Sequence, residues 1–377
     1  MRLVINAVSI APGGGLSVLL GLLEAWREIN ANLEIVVVAS KPPTIDALEK
    51  TAWADRVEKV LPCAPAWRHG AWQLTRMGGW STRFAPDILL SNNVYVGQAP
   101  CPQVVHHQNL WTLFSRSYLP YARDGVRLLI QAYASRTALK RADANTFVSH
   151  FLREKAEVIC PPSKSRNHVI YNGVSTRMLK SAPARCARRR VEGKIAAIQA
   201  PSPHKDNESL LQMLVELCRE PDEPKWTLDV AGPGDWSPWQ SRARQLGIQD
   251  RVRFIGACDA KQVQDLLLRS ECLVFASCFE AFGLPVIEAM SCGCPVIAVN
   301  ATAIPEVAGS AALLVPPHSP QQLAEGVRML RVDDTVRRRL IEQGYERSKL
   351  FLWNDSARVF MKLFESAVSG ARPLTEV

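Results

Sequence analysis

Two glutamates, Glu280 and Glu288, stand with seven residues between them in the stretch Ser277 to Ala298. The apolar run Cys272–Ala276 predicts a buried strand, a loop follows it, Pro285 predicts the start of a helix and Gly293 its end. Glu280 then falls in the loop and Glu288 in the helix. Backbone N–H groups at such a helix start, reached through Gly283, make an anion site suited to a phosphate or to a network of sugar hydroxyls. Carboxylates are poor partners for phosphate. They are good partners for alcohols, because an ionised carboxylate accepts from both hydroxyls of a diol.

The elements that must position this segment alternate along the chain. Short β-branched runs at Leu3–Asn6, Ile35–Ala39, Asp87–Ser91, Gln103–His106, Asn145–Val148 and Val169–Tyr171 predict strands in the first half. Lys194–Gln199, Trp226–Ala231, Val252–Gly256, Cys272–Ala276, Pro295–Val299 and Ala312–Val315 predict a second series. Leu16, Leu19, Leu20, Leu23 and Trp26 recur at helical spacing behind Gly13-Gly14-Gly15, a βα unit. Asp259 with Gln262 predicts a capping box, and Ser319-Pro320 with Gln322 another helix start. Nearly all-apolar strands between helices belong to parallel sheets covered on both faces. The expected architecture is α/β, with residues 1–175 as one domain, 176–193 as a basic linker containing Arg188–Arg190, and 194–352 as a second domain. Residues 353–377 form a final helical segment able to lie on either domain. Two such domains place the carboxyl ends of their strands at a crevice.

Composition excludes other classes. With 377 residues, 47% hydrophobic and 21% charged, the chain is long enough for two cores, and no apolar run approaches the ~18 residues of a membrane span. Met1 leads straight into Leu3-Val4-Ile5 without the features of a secretory signal, which sets a cytoplasmic expectation. The ten cysteines are scattered. Cys292 and Cys294 are the one tight pair, weak as metal ligands, so buried thiols and no metal are expected. Net charge is +9, and it lies wholly in the first half: 21 Lys and Arg stand against 12 Asp and Glu through Lys180, and 24 against 24 thereafter. One basic side suggests an anionic substrate or membrane surface. No nucleic-acid motif accompanies the charge. Trp53, Trp67, Trp72 and Trp80, interleaved with Arg56, Arg68, His69, Arg76 and Arg83, fit either a membrane interface or an internal packing layer.

The segment around Glu280 resembles the retaining glycosyltransferases of family 4, whose fold is GT-B: two Rossmann-like parallel-sheet domains facing a central cleft. The family phrase E-x-FGLP-x-x-EA-M-x-CG-x-PVIA is reproduced from Glu280 to Ala298. Asp229-Val230-Ala231-Gly232-Pro233-Gly234, Ile304-Pro305-Glu306-Val307 and Leu313-Leu314-Val315 agree as well. The resemblance is strong over about residues 190 to 345 and looser before. It implies that Glu288 holds the ribose hydroxyls of a nucleotide sugar, that Glu280 accepts from the donor sugar, and that the N–H groups of Phe282, Gly283 and Leu284 meet sugar or phosphate. It also implies that Lys205 lies against the diphosphate, as a fixed cation for charge left on the departing group.

Two departures stand out. The family's arginine before that lysine is absent, since Ile198-Gln199-Ala200-Pro201 occupies its place, leaving His204 or an arginine from elsewhere to assist. The family's catalytic histidine follows an apolar strand, where this chain offers His106, His107 and Gln108; His107 or His106 is expected near the acceptor. Gly13–Gly15 is a plain turn or, through Gly14 and Gly15, a backbone approach to the donor's phosphate or to the acceptor. It does not fit GxGxxG, because Val18 replaces the last glycine, which weakens a dehydrogenase reading.

The resulting expectation is a metal-independent, retaining transferase without cofactor. It moves a sugar from a UDP- or GDP-sugar to a saccharide or lipid-linked acceptor in polysaccharide or lipopolysaccharide assembly, in the cytoplasm or peripherally on the inner membrane face. A sugar-nucleotide epimerase or phosphorylase of the same architecture, and a non-catalytic sugar-binding protein at a membrane, are the alternatives.

Overall fold

The computed structural model describes residues 1–51, 53–61, 64, 66–110, 125–161, 167–179, 190–219 and 225–370, with the backbone alone for 66–67 and 125–131. The chain divides into two units. Met1–Asn172 with Trp353–Val377 form one, and Gly173–Leu352 the other.

The first unit is a seven-stranded parallel sheet of β1 (Arg2–Ala7), β2 (Glu34–Ala39), β3 (Arg56–Lys59), β4 (Ile88–Asn92), β5 (Gln103–His107), β6 (Ala144–Phe147) and β7 (Asn167–Val169), ordered β3-β2-β1-β4-β5-β6-β7. Central strands are buried on both faces, as their apolar sequences require. β3, Arg-Val-Glu-Lys, escapes the periodicity because it is an edge strand whose exposed positions carry charge. β7 lies two residues earlier than expected.

The helix Gly14–Glu28 buries Val18, Leu19, Leu22, Leu23 and Trp26. The last helix, Trp353–Ser369, belongs to this first unit. Its Trp353, Ala357, Phe360 and Phe364 recur at three- and four-residue intervals and are buried. Trp26 meets Phe360 edge-on at 6.0 Å, and its indole N–H donates to the Ala357 carbonyl. Gly21 leaves room for the Trp353 ring, which any Cβ there would strike.

The tryptophan-rich stretch resolves in favour of packing for Trp72 and Trp80. Both rings lie against a core of Val4, Val36, Val38 and Leu89. Trp80 meets Trp72 edge-on at 5.5 Å and Phe84 at 5.1 Å, while Arg83 covers its other face at 4.4 Å. The Trp67 side chain lies outside the described residues.

The second unit is a six-stranded parallel sheet of β8 (Lys194–Ile198), β9 (Thr227–Ala231), β10 (Val252–Gly256), β11 (Cys272–Phe275), β12 (Val296–Val299) and β13 (Leu313–Val315), ordered β10-β9-β8-β11-β12-β13. Its strands fall within a residue or two of the runs that predicted them. The capping box of Asp259 and Gln262 forms in both directions, at 2.8 and 2.9 Å.

Most of the basic linker, 180–189, lies outside the described residues, Arg188 and Arg189 included. Arg190 corrects the expectation of a solvated run. Its half-buried guanidinium donates to the carbonyls of Leu267, Ser270 and Gly293 at 3.0, 2.6 and 2.6 Å, satisfying acceptors left open where helices end.

Candidate functional site

In the second unit the strand order reverses between β8 and β11: the chain proceeds from β8 to one edge and from β11 to the other. Loops leaving two such strands diverge, which opens a crevice beyond their carboxyl ends. Lys205 stands on the loop after β8 and Glu280 on the loop after β11. Their side chains form an ion pair, each about five-sixths buried, with side-chain exposures of 18% and 14%.

Backbone contacts fix the two loops. The Cys278 N–H donates to the His204 carbonyl at 2.9 Å, and the Glu280 N–H to Thr302 Oγ1, beyond β12, at 2.9 Å. Gln199, at the end of β8, donates from Nε2 to the Lys205 carbonyl at 2.9 Å and to Asn207 Oδ1 at 2.7 Å. Asp206 adopts a left-handed backbone, and its Oδ1 caps the helix Asn207–Leu217 by accepting from the Ser209 N–H. The Lys205 ammonium also lies 5.8 Å from the Phe275 ring centre.

The helix Leu284–Ser291 starts from Gly283, whose φ of 96° is left-handed and whose Cβ position would fall 2.5 Å from Ile304 Cδ1. Glycine is therefore required twice over. The Val286 N–H is taken by the Gly283 carbonyl and Pro285 has none, so the N–H groups of Gly283 and Leu284 donate to no acceptor among the described residues. Two donors and the positive end of a helix remain for a ligand. Phe282 packs its buried ring edge-on against Phe351 at 5.6 Å, contributing backbone rather than ring to the site.

Glu288 lies within this helix and is half-buried, and among the described residues its carboxylate has neither a hydrogen bond nor an ion pair. Protein packed around it pushes its pKa up to about 7. Its oxygens are able to accept from hydroxyl groups. His204 does not provide the missing second cation: burial, with the Lys205 charge beside it, pushes its pKa down to about 4, so it is neutral at pH 7.

The histidines of the first unit require a correction. His106 and His107 end β5 but are 2% and 0% exposed, because side chains cover both rings: Phe360 of the last helix meets His106 edge-on at 5.2 Å, and Phe147 lies against His107. His106 Nδ1 pairs with Thr146 Oγ1 at 2.8 Å; His107 Nε2 pairs with Asn145 Oδ1 at 2.9 Å, and its ring stacks on Phe147 at 4.9 Å. Burial pushes their pKa values down to about 3 and about 4. Neither presents a surface to an acceptor. The first residue beyond them with open surface is Gln108, whose Nε2 donates to Asn92 Oδ1 at 3.0 Å. Asn93, at a φ of 57°, accepts from the N–H groups of Gln108 and Asn109 through Oδ1. These amides follow β4 and β5. Gly14 and Gly15 open the helix after β1, and β1 and β4 flank the order reversal of the first sheet. A Cβ on Gly14 would meet nothing, so packing does not require that glycine.

Residues 190–347 match the family model for glycosyl transferases group 1, and residues 12–177 that for Glycosyltransferase Family 4. The chain belongs to the family 4 glycosyltransferases. It is 30% identical over 167 residues to the O-antigen chain mannosyltransferase B of Escherichia coli, covering 44% of this chain and 43% of that one. It is 29% identical over 211 residues to an MMP alpha-(1->4)-mannosyltransferase of Mycolicibacterium hassiacum, covering 55% and 50%. The matches thus span half or less of each relative's length.

Among solved structures, a sucrose-phosphate synthase of Thermosynechococcus elongatus superposes with a TM-score of 0.77 at 18% identity, over 98% of this chain and all of that one. HepE of Anabaena, solved in complex with UDP and glucose, gives 0.76 at 18%, over 97% of this chain and all of that one. These likenesses establish the GT-B fold for the family 4 chain. Gln108 is read from the sequence beside the two histidines; Thr302, Asn92, Asn93 and the anchoring role of Gln199 carry no signal there, and only the neighbouring loops reveal them.

Proposed function

We propose that the chain transfers a sugar, with retention and without a metal in the transfer step, from a UDP- or GDP-sugar to a hydroxyl of a saccharide or lipid-linked acceptor in polysaccharide or lipopolysaccharide assembly. The observation that carries the reading is the conjunction in the second unit of a paired Lys205 and Glu280 at the strand reversal with an unpartnered Glu288 on a helix whose first N–H groups are open. Glu288 accepts from the ribose diol, and Glu280 from hydroxyls of the transferred sugar. As the anomeric C–O bond breaks, the electron pair stays on the nucleoside diphosphate. Lys205 and the N–H groups of Gly283 and Leu284 meet that charge in a partly dehydrated setting. The acceptor hydroxyl attacks the same face, and its proton passes to the departing phosphate oxygen.

The basic first unit takes the acceptor in this scheme, with Gln108, Gly14 and Gly15 as its contacts. No helix among the described residues is long and apolar enough to cross a membrane. In this scheme a lipid-linked acceptor is met at the surface of the inner face.

Incubation with UDP- and GDP-sugars and saccharide acceptors, following nucleoside diphosphate release and the anomeric configuration of the product, tests the reading. Release with and without EDTA, and retention in the product, are expected. Inverted product, or release abolished by EDTA, removes the mechanism. Sugar interconversion without transfer points to the epimerase, and binding without turnover to the sugar-binding protein.

A further inference from the structure

Beside this site, three loops that leave β8, β11 and β13 bring together Asp206, Cys278 and His318. We propose that these three residues hold a soft divalent cation of the zinc type, a site additional to the transferase machinery. One ligand atom from each lies within 4.8 Å of the other two. Asp206 Oδ2 is 2.9 Å from His318 Nδ1 and 4.0 Å from Cys278 Sγ, and that sulfur is 3.9 Å from His318 Nε2.

Tetrahedral zinc, with bonds of about 2.0–2.3 Å, holds its ligand atoms about 3.3–3.8 Å apart. The Asp206–His318 and Cys278–His318 separations of 2.9 and 3.9 Å, each to a different ring nitrogen, bracket that range, and His318 ligates through one of the two. Asp206 already commits Oδ1 to the helix cap, which aims Oδ2 at the other two residues. His318 is exposed, at 65% of its side chain, and Cys278 is half-buried, so a cation has an entry path from solvent.

The donor set selects the ion. A thiolate, an imidazole and a carboxylate suit zinc, whereas magnesium and calcium take oxygen. Thiolate and carboxylate together carry two negative charges, which balance a divalent cation. Binding releases the Cys278 thiol proton to solvent, while neutral His318 ligates through its unprotonated ring nitrogen. Three protein ligands leave the fourth position to water. The tight cysteine pair that the sequence singles out, Cys292 and Cys294, is fully buried and offers no such group. Because Asp206 adjoins Lys205 and Cys278 lies two residues before Glu280, an ion here ties together the loops that carry that ion pair.

The full chain, treated with chelator and dialysed, is titrated with Zn²⁺ by calorimetry and with Co²⁺ by absorption, in the absence of any nucleotide sugar. One equivalent of Zn²⁺ is expected, with a thiolate-to-cobalt charge-transfer band. Cys278→Ser abolishes that band, and His318→Ala weakens zinc at least about tenfold. His318 is exposed and Cys278→Ser is nearly isosteric, so thermal unfolding of both variants without metal is expected to match the parent chain. Absence of uptake, or uptake undiminished in both variants, overturns the site. The measurement needs no turnover, so its failure leaves the transferase reading untouched, and a failure of transfer leaves the site untouched.

Discussion

Lys205 and Glu280, 75 residues apart, form an ion pair that spans the loops on either side of the strand reversal in the second unit. The carboxylate occupies the ammonium that meets the diphosphate in the proposed reaction. Glu280→Gln should bind UDP several-fold more tightly, because the cation is released, while turnover falls because the sugar loses its charged acceptor. Lys205→Ala should lower kcat by about 10²–10³-fold, the range for loss of one stabiliser of developing charge. Calorimetric UDP binding beside steady-state rates checks both, and unchanged UDP affinity in both variants removes the pair from the site.

In the proposed reading Glu288 couples donor binding to pH. Its pKa is raised from 4.5 to about 7 by burial, so the folded state holds its proton more firmly than the unfolded chain does. The linked stability is complete below about pH 4.5 and is lost as pH rises through 7, at most about 3 kcal/mol for a shift of this size and less for a group with one open face. Glu288→Gln should match the parent near pH 4.5 and exceed its stability at pH 8, measured by urea unfolding. Donor affinity runs the other way. It should rise from pH 6 to 8 as the carboxylate ionises and accepts from the diol, and should be lower and flat in Glu288→Gln.

The buried histidines predict acid sensitivity in the first unit. Their depressed pKa values, about 3 for His106 and about 4 for His107, mean that the unfolded chain takes up protons before the folded one does. Stability is full above about pH 6.5 and falls as pH drops toward 4. Replacing both with Gln should flatten the dependence of unfolding free energy on pH across that window and leave turnover per folded molecule unchanged. Loss of turnover in well-folded variants would return them to the reaction.

Local pattern made much of this architecture legible. Parallel strands read as apolar runs because both faces are covered, and the Glu280-to-Ala298 phrase is contiguous, so loop, helix start and both carboxylates were visible without knowing any neighbour. β3 was invisible because its charges face solvent at a sheet edge. His106 and His107 read as strand-end groups with free surface, and only the packing of Phe360 and Phe147 against their rings shows that they are covered. Thr302 behind Glu280, and Cys278 with His318 beside Asp206, are juxtaposed by strand order, which residue spacing does not encode.

Arg190 is the case where a charged run misleads. As a linker cation it would be dispensable; as the donor to Leu267, Ser270 and Gly293 it closes one helix end and steadies the chain that leaves the Glu288 helix. Removing it strands three carbonyls in a half-buried place, at a cost of about 2–4 kcal/mol. Arg190→Ala should lower the urea midpoint of the second unit accordingly and raise the KM for the donor more than it lowers kcat. Arg190→Lys keeps the charge but lacks the planar fork that reaches several carbonyls at once, and should fall between the two. Unfolding curves of Arg190→Ala that superpose on the parent would restore the solvated-linker reading.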